Sequence, residues 1–290
     1  MPGAEIEVSS LLVSDLLEAQ RPDLAGLAVA PIGFGWDNFS FLVGDDLVAR
    51  LPRREAAVRL VDNEIRWLPE IAGRLPLPVP TPVFVGEPGP GYPWRWTLVP
   101  WISGDRVSRA EDFETRSGAT DLAAFLLALH EPAPVEAPRN PVRGIPLMGR
   151  DGITRERITA LTMHLDPAVV LSEWEAALEV QTYDGPPVWI HGDLHPANLL
   201  SVDGRLSGVI DFGDLASGDP ATDLAVAWML FGTEGRELFR REYGGVTRPT
   251  WRRARGWALS LAVAILATSA DNVEMEAIGR VTLERVLADR

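Results

Sequence analysis

Two strand-like segments, one starting at Leu199-Leu200 and one running through Ser207-Gly208-Val209-Ile210, are separated by a stretch that contains Asp203-Gly204. Asp-Gly between apolar segments is a strong signal for a two-residue hairpin, because both central positions of that turn need a positive φ. The segments must then pair antiparallel, which brings Asn198 and Asp211, thirteen residues apart, to one end of the hairpin. Ahead of it, the strand-like Val188-Trp189-Ile190 enters the polar loop His191-Gly192-Asp193-Leu194-His195-Pro196-Ala197-Asn198. Two oxygen ligands and a nearby aspartate at one edge suit a hard cation such as magnesium holding phosphate oxygens.

The rest of the chain changes character once. Residues 11–20 read as a helix with Leu12, Leu16 and Leu17 on one side and Ser9 or Ser10 as cap. Strands follow at 27–32, 39–43 and 47–51, then a helix over 54–71 with Ala57, Val61, Ile65 and Leu68 at helical spacing. Pro69 should kink or end its last turn. Further strands are expected at 83–85 and 94–101. Beyond them helices are expected over 113–130, 153–163, 167–180, 221–231, 247–269 and 273–288, and 131–150 reads as a surface connection. A β-rich front over 1–101 and a mainly helical back over 102–290 predict an α+β fold of two lobes with a cleft between them.

Composition narrows the function. The 290 residues contain no cysteine, which excludes a disulfide scaffold, a thiolate zinc site and a cysteine nucleophile. The net charge is −14 and every base is arginine. So acidic a chain has no footprint for a phosphate backbone, and nucleic acid is not an expected partner. The apolar stretch 257–268 falls short of the roughly 20 residues that span a bilayer, so it should be a buried helix and no membrane is expected. The N-terminal ten residues show no signal-peptide core, and a cytoplasmic protein is the expectation. No sequence feature sets an oligomeric state.

Asp193, Asn198 five residues later, and Asp211-Phe212-Gly213 after a hairpin resemble the protein-kinase signature. With glycine between His191 and Asp193, and a second histidine before Pro196, the segment is similar to the aminoglycoside and macrolide phosphotransferase family, small-molecule kinases on a protein-kinase-like fold. The resemblance covers residues 25 to about 232. It implies Asp193 as the catalytic aspartate, Asn198 and Asp211 as magnesium ligands, and His191 as a brace for the loop. Asp219 would start a helix whose Asp223 is buried and bonded to that loop. In the front lobe, Gly33 and Gly35 lie where a kinase covers the phosphates, and Arg50 stands in the place of the kinase lysine with Glu64 as partner. Leu98, Val99, Pro100 and Trp101 match the hinge that holds the base.

The resemblance implies transfer of the terminal phosphate of ATP or GTP, with Mg2+, to a hydroxyl of an antibiotic, giving resistance. A metabolic kinase of the same fold, acting on choline, homoserine, a thioribose or a fructosamine, is the alternative. A catalytically silent nucleotide-binding regulator is opposed by the intact Asp193, Asn198 and Asp211. A metal-dependent hydrolase would need His191, Asp193 and His195 on one face of a strand, against which Gly192 and Pro196 argue. The acidic balance suggests a cationic acceptor held by Asp214, with Asp271 and Glu274 at the start of the last helix as further candidates.

Overall fold

The computed structural model describes residues 3–110, 113–161, 166–269 and 271–289. The chain divides into two units, one of residues 1–73, 78–102 and 211–213, the other of 74–77, 103–210 and 214–290.

In the first unit, Ser9 caps α1 (Ser10–Gln20) by accepting the N–H of Leu12 at 3.2 Å. Three strands follow, β1 (Val29–Phe34), β2 (Asn38–Val43) and β3 (Leu47–Pro52), then α2 (Glu55–Ala72), β4 (Phe84–Gly86) and β5 (Trp96–Pro100). The strands form one antiparallel sheet in the order β1-β2-β3-β5-β4. Val13, Leu16 and Leu17 of α1 pack with Phe41, Val43, Ala49, Leu51, Trp96 and Leu98 of the sheet. Side chains alternate across a strand, so Val48 and Arg50 point away from that core, toward the face that α2 covers. Pro69 does not end α2, which continues to Ala72. Trp67, Leu68 and Ile71 are buried on either side of the proline, and their packing outweighs one missing backbone bond.

The second unit starts with β6 (Asp105–Arg106), α3 (Thr115–Leu129), α4 (Asp151–Thr159) and α5 (Pro167–Leu178). Residues 162 and 163, where a helix was expected to end, lie outside the described residues. Then come β7 (Val188–Ile190), β8 (Leu199–Val202), β9 (Arg205–Val209) and β10 (Ala216–Gly218). The hairpin forms as its turn signal requires: Leu199 pairs with Val209, and Asp203 and Gly204 have φ of 49° and 78°. β6 pairs with β8, and β7 with β10.

The remaining helices are α6 (Ala221–Leu224), α7 (Val226–Leu230), α8 (Thr233–Tyr243), α9 (Arg248–Thr268) and α10 (Val273–Ala288). The helix expected over 221–231 is broken at Ala225, and α8 was not anticipated. The apolar stretch 257–268 lies in α9, with Trp257 through Val263 buried. No helix among the described residues is long and apolar enough to cross a membrane.

Segment 131–150 is more than a surface connection. Its backbone bonds to Pro187, Trp189, Ser217 and Asp219, and Ala137, Leu147 and Arg150 are buried. Packing through backbone groups leaves no apolar periodicity for a sequence to display.

Candidate active site

The loop after β7 is held from below by one carboxylate. Asp223, fully buried, accepts the N–H groups of His191 at 2.7 Å and Gly192 at 2.9 Å. His130 Nε2 lies 3.1 Å from the same carboxylate, and His130 Nδ1 lies 2.8 Å from the Tyr243 hydroxyl. The tautomer with hydrogen on Nε2 satisfies both contacts. Asp219 binds the Ala221 N–H at 3.0 Å and takes the Arg253 guanidinium in a two-bond grip, which fixes the start of α6. Sequence reasoning placed Asp219 and Asp223 but not His130 or Arg253, whose separation along the chain leaves no local signal.

The loop itself is shaped by His191 and Gly192. His191 is fully buried, its Nε2 donating to the Ile210 carbonyl at 3.0 Å and its Nδ1 accepting the Asp193 N–H at 3.3 Å. Gly192 has a φ of +86°, and a Cβ there would meet the Asp214 carbonyl oxygen at 2.5 Å. Glycine is therefore required where protein kinases carry arginine. Asn198 donates from Nδ2 to the Asp193 carbonyl at 2.9 Å, which leaves its Oδ1 as the end a ligand could meet. Its own carbonyl accepts the Ile210 N–H at 2.9 Å, one step beyond the hairpin ladder and one residue before Asp211.

Asp193 keeps about a third of its side chain open to solvent (35 %). Its Oδ1 lies 3.1 Å from Arg143 Nη2, and its Oδ2 lies 3.6 Å from His195 Nε2. Burial alone would raise its pKa, but His195, then Arg143 and His191, outweigh this and hold it well below the usual carboxylate range. Arg143 also reaches Asp214, Nε to Oδ2 at 3.9 Å, and Asn140 donates to Asp214 Oδ1 at 2.6 Å. Arg143 and Asn140 come from segment 131–150 and were missed by the sequence reading. His191, Asp193 and His195 do not share a strand face: β7 ends at Ile190, and His191 is spent on backbone groups.

In the first unit, Arg50 is 9 % exposed and bonds Glu64 of α2, and its Nη2 lies 3.4 Å from Asp211 Oδ1. Burial opposes its charge, but Glu64 and Asp211 more than compensate, and its pKa is raised. Glu64 faces the sheet because it falls on the stripe of Val61 and Leu68. Asp211 has a positive φ of 64°, a conformation aspartate tolerates better than most residues, and its side chain is 54 % exposed. Gly33, at φ +146° beside a register shift between β1 and β2, meets the glycine requirement; Gly35 has an ordinary φ and its N–H bonds the Asn38 carbonyl. Along β5, the Leu98 carbonyl and the Trp101 N–H are taken by Val83 and Asp46. β4 pairs only with residues 96–98, so Val99 and Pro100 extend past that neighbour.

Of the acidic candidates around the start of α10, Glu274 is engaged by Arg106, Ser108 and Arg109, while Asp271, ahead of the helix, is exposed.

Comparison with known proteins supplies the context for this arrangement. The model of the APH phosphotransferase enzyme family matches residues 28–257. The uncharacterized protein YcbJ of Bacillus subtilis (strain 168) is 23 % identical over 257 residues, 80 % of this chain and 82 % of that protein. Aminoglycoside 2'-phosphotransferase-IIIa in its GDP complex superposes with a TM-score of 0.72 at 23 % identity, covering 97 % of this chain and 99 % of the other. Macrolide 2'-phosphotransferase MphH from Brachybacterium faecium gives 0.63 at 25 % identity, covering 93 % and 97 %. With the catalytic-loop, Asp-Phe-Gly and Arg50–Glu64 features in place on an α+β fold of this kind, the chain belongs to the APH phosphotransferase enzyme family and is a kinase-type phosphotransferase.

Proposed function

We propose that this protein transfers the terminal phosphate of ATP or GTP to a hydroxyl of a small molecule, with Asp193 aligning that hydroxyl. The observation that carries the reading is the Asp193 carboxylate, held ionised and partly open on a loop whose backbone is fixed by Asp223, His191 and Asn198. A carboxylate of low pKa is a weak base, so it orients the hydroxyl and receives its proton late, as the oxygen–phosphorus bond forms and the bond to the nucleoside diphosphate breaks. Asn198 and Asp211 offer an amide and a carboxylate oxygen, a donor set that fits magnesium. Magnesium, when bound, neutralises charge on the donor phosphates. Arg50 would add positive charge at those phosphates, Gly33 and Gly35 would let backbone N–H groups approach them, and residues 98–101 would meet the base. Among the similar structures, one aminoglycoside phosphotransferase holds GDP and another holds ADP. A nucleoside triphosphate donor sets the reaction in the cytoplasm.

An antibiotic alcohol is the first acceptor class to try, since similar folds include a kanamycin complex and a macrolide phosphotransferase. A metabolic alcohol is the second, and a specific observation favours it: the side chain on Asp193 is an arginine, and Asp214 is already engaged by Asn140 and Arg143. Release of nucleoside diphosphate against a panel of aminoglycosides, macrolides and metabolic alcohols tests the function. Asp193→Ala should abolish turnover while magnesium-nucleotide binding persists, and Asp211→Ala should weaken that binding too. Full activity in Asp193→Ala overturns the reading.

A further inference from the structure

Among the described residues five arginines are buried: Arg50, Arg53, Arg150, Arg236 and Arg253. Four of them have bonds. Arg50 meets Glu64, Arg53 the Gly35 carbonyl, Arg236 the Asp289 carboxylate, and Arg253 the Asp219 carboxylate. Arg150, 7 % exposed, differs: among the described residues no hydrogen bond or ion pair engages it, and its Nε is sealed from solvent without a partner. Arg157 likewise has no bonding partner among the described residues, and lies seven residues on. That spacing is two helical turns and sets both arginines on one face of α4 and the turn before it. Arg143, bonded to Asp193, belongs to the same cluster. Burial, then the positive charges of Arg143 and Arg157, lower the pKa of Arg150 to about 10, so it stays protonated at neutral pH.

A buried cation without a counterion is costly, and a fold that keeps one leaves room for the anion to arrive from outside. A guanidinium fork matches the paired oxygens of a carboxylate or phosphate, and Arg157 is near enough for its charge to act on Arg150. We infer that Arg150 and Arg157 form a recognition site for a carboxylate or phosphate group on the acceptor molecule, beside the Asp193–Arg143 pair. The inference rests on the phosphotransferase reading for the word acceptor: Asp193 is the group that meets the acceptor hydroxyl, and Arg143 ties the arginine cluster to it. A polyamine would be repelled by the same three charges, in a chain whose net charge of −14 provides no general reason for arginines to gather.

The probe is inorganic phosphate, titrated calorimetrically into protein saturated with magnesium and a non-hydrolysable ATP analogue, so that the donor site is filled. Wild type should bind phosphate, and Arg150→Met and Arg157→Met should each lose at least about tenfold in affinity, the scale of one charge-assisted hydrogen bond. Nucleotide affinity should be unchanged in both. Arg150→Met should melt at the same temperature as wild type or higher, because it removes an unpaired buried charge while keeping most of the stem's volume. Undiminished phosphate binding in the variants, absence of phosphate binding by wild type, weakened nucleotide binding, or a marked loss of stability in Arg150→Met overturns the inference. If wild type binds no nucleotide, the phosphotransferase reading fails by itself, and the same titration on nucleotide-free protein still decides whether the arginines hold an anion.

Discussion

Arg50 sits on a strand that is buried on both faces, and its neighbours Ala49 and Leu51 face an apolar core. A charge in that position persists only because Glu64 and Asp211 stand opposite it. Arg50→Ala leaves Glu64 buried without its cation and should cost about 3–5 kcal/mol of stability in urea denaturation. Arg50→Lys should recover most of this, since one ammonium can still pair with Glu64. It cannot fork toward Glu64 and Asp211 together, so its nucleotide KM should remain raised. Equal nucleotide KM in wild type and both variants would show that the position is structural only. The partnership of Arg50 and Glu64 was legible in the sequence, because strand alternation and helical spacing each orient one of the two. The pairing of Asp193 with Arg143 was not, for Arg143 lies fifty residues earlier in a segment without periodicity.

At the level of elements, the loop that carries Asp193 turns away from the end of β7 at one residue. Gly192 leaves β7 with a positive φ and passes against the Asp214 carbonyl, so a methyl group has neither a relaxed backbone nor space. Gly192→Ala should cost roughly 2–4 kcal/mol, the sum of a strained φ and an overpacked contact, and should lower kcat through displaced Asp193. Urea midpoints and kcat measured together check this; a variant with wild-type stability would mean that the backbone relaxes freely there. The hairpin β8–β9 formed where its Asp-Gly turn required. α8 escaped notice because its sequence, TEGRELFRREY, is mostly charged. Its buried positions, Gly235, Arg236, Phe239 and Tyr243, do fall at helical spacing, but only two of them are large and apolar.

For the whole molecule, the carboxylates with depressed pKa set the response to acid. Burial would raise Asp193, Glu274 and Asp289, but His195 and Arg143 at the first, Ser108 and Arg109 at the second, and Arg236 and Trp228 at the third lower them. A group whose folded pKa lies below its unfolded one stabilises fully above the unfolded value, near 4, and that stability is lost as pH falls through the folded value. Stability should therefore be flat from pH 7 to about 5 and fall below about pH 4. Arg143→Met removes one cause of the depression at Asp193, so its loss of stability between about pH 4 and pH 2 should be smaller than that of wild type. Urea titrations at pH 7, 4 and 2.5 compare the two; parallel curves would show that Arg143 contributes nothing to holding Asp193 ionised.

The sequence by itself determined the order of most elements, the hairpin and the residue types of the loop that carries Asp193, because each depends on neighbours a few positions away. Turn chemistry, strand alternation and helical spacing act over that range. The three residues Asp211-Phe212-Gly213 are the contrary case: they follow the second unit in the chain yet pack with the first. The braces from His130, Arg143 and Arg253 are likewise tertiary, and so is the lack of a partner for Arg150 among the described residues. Whether a buried charge finds a counterion depends on which distant segments reach it, and only the folded chain decides that.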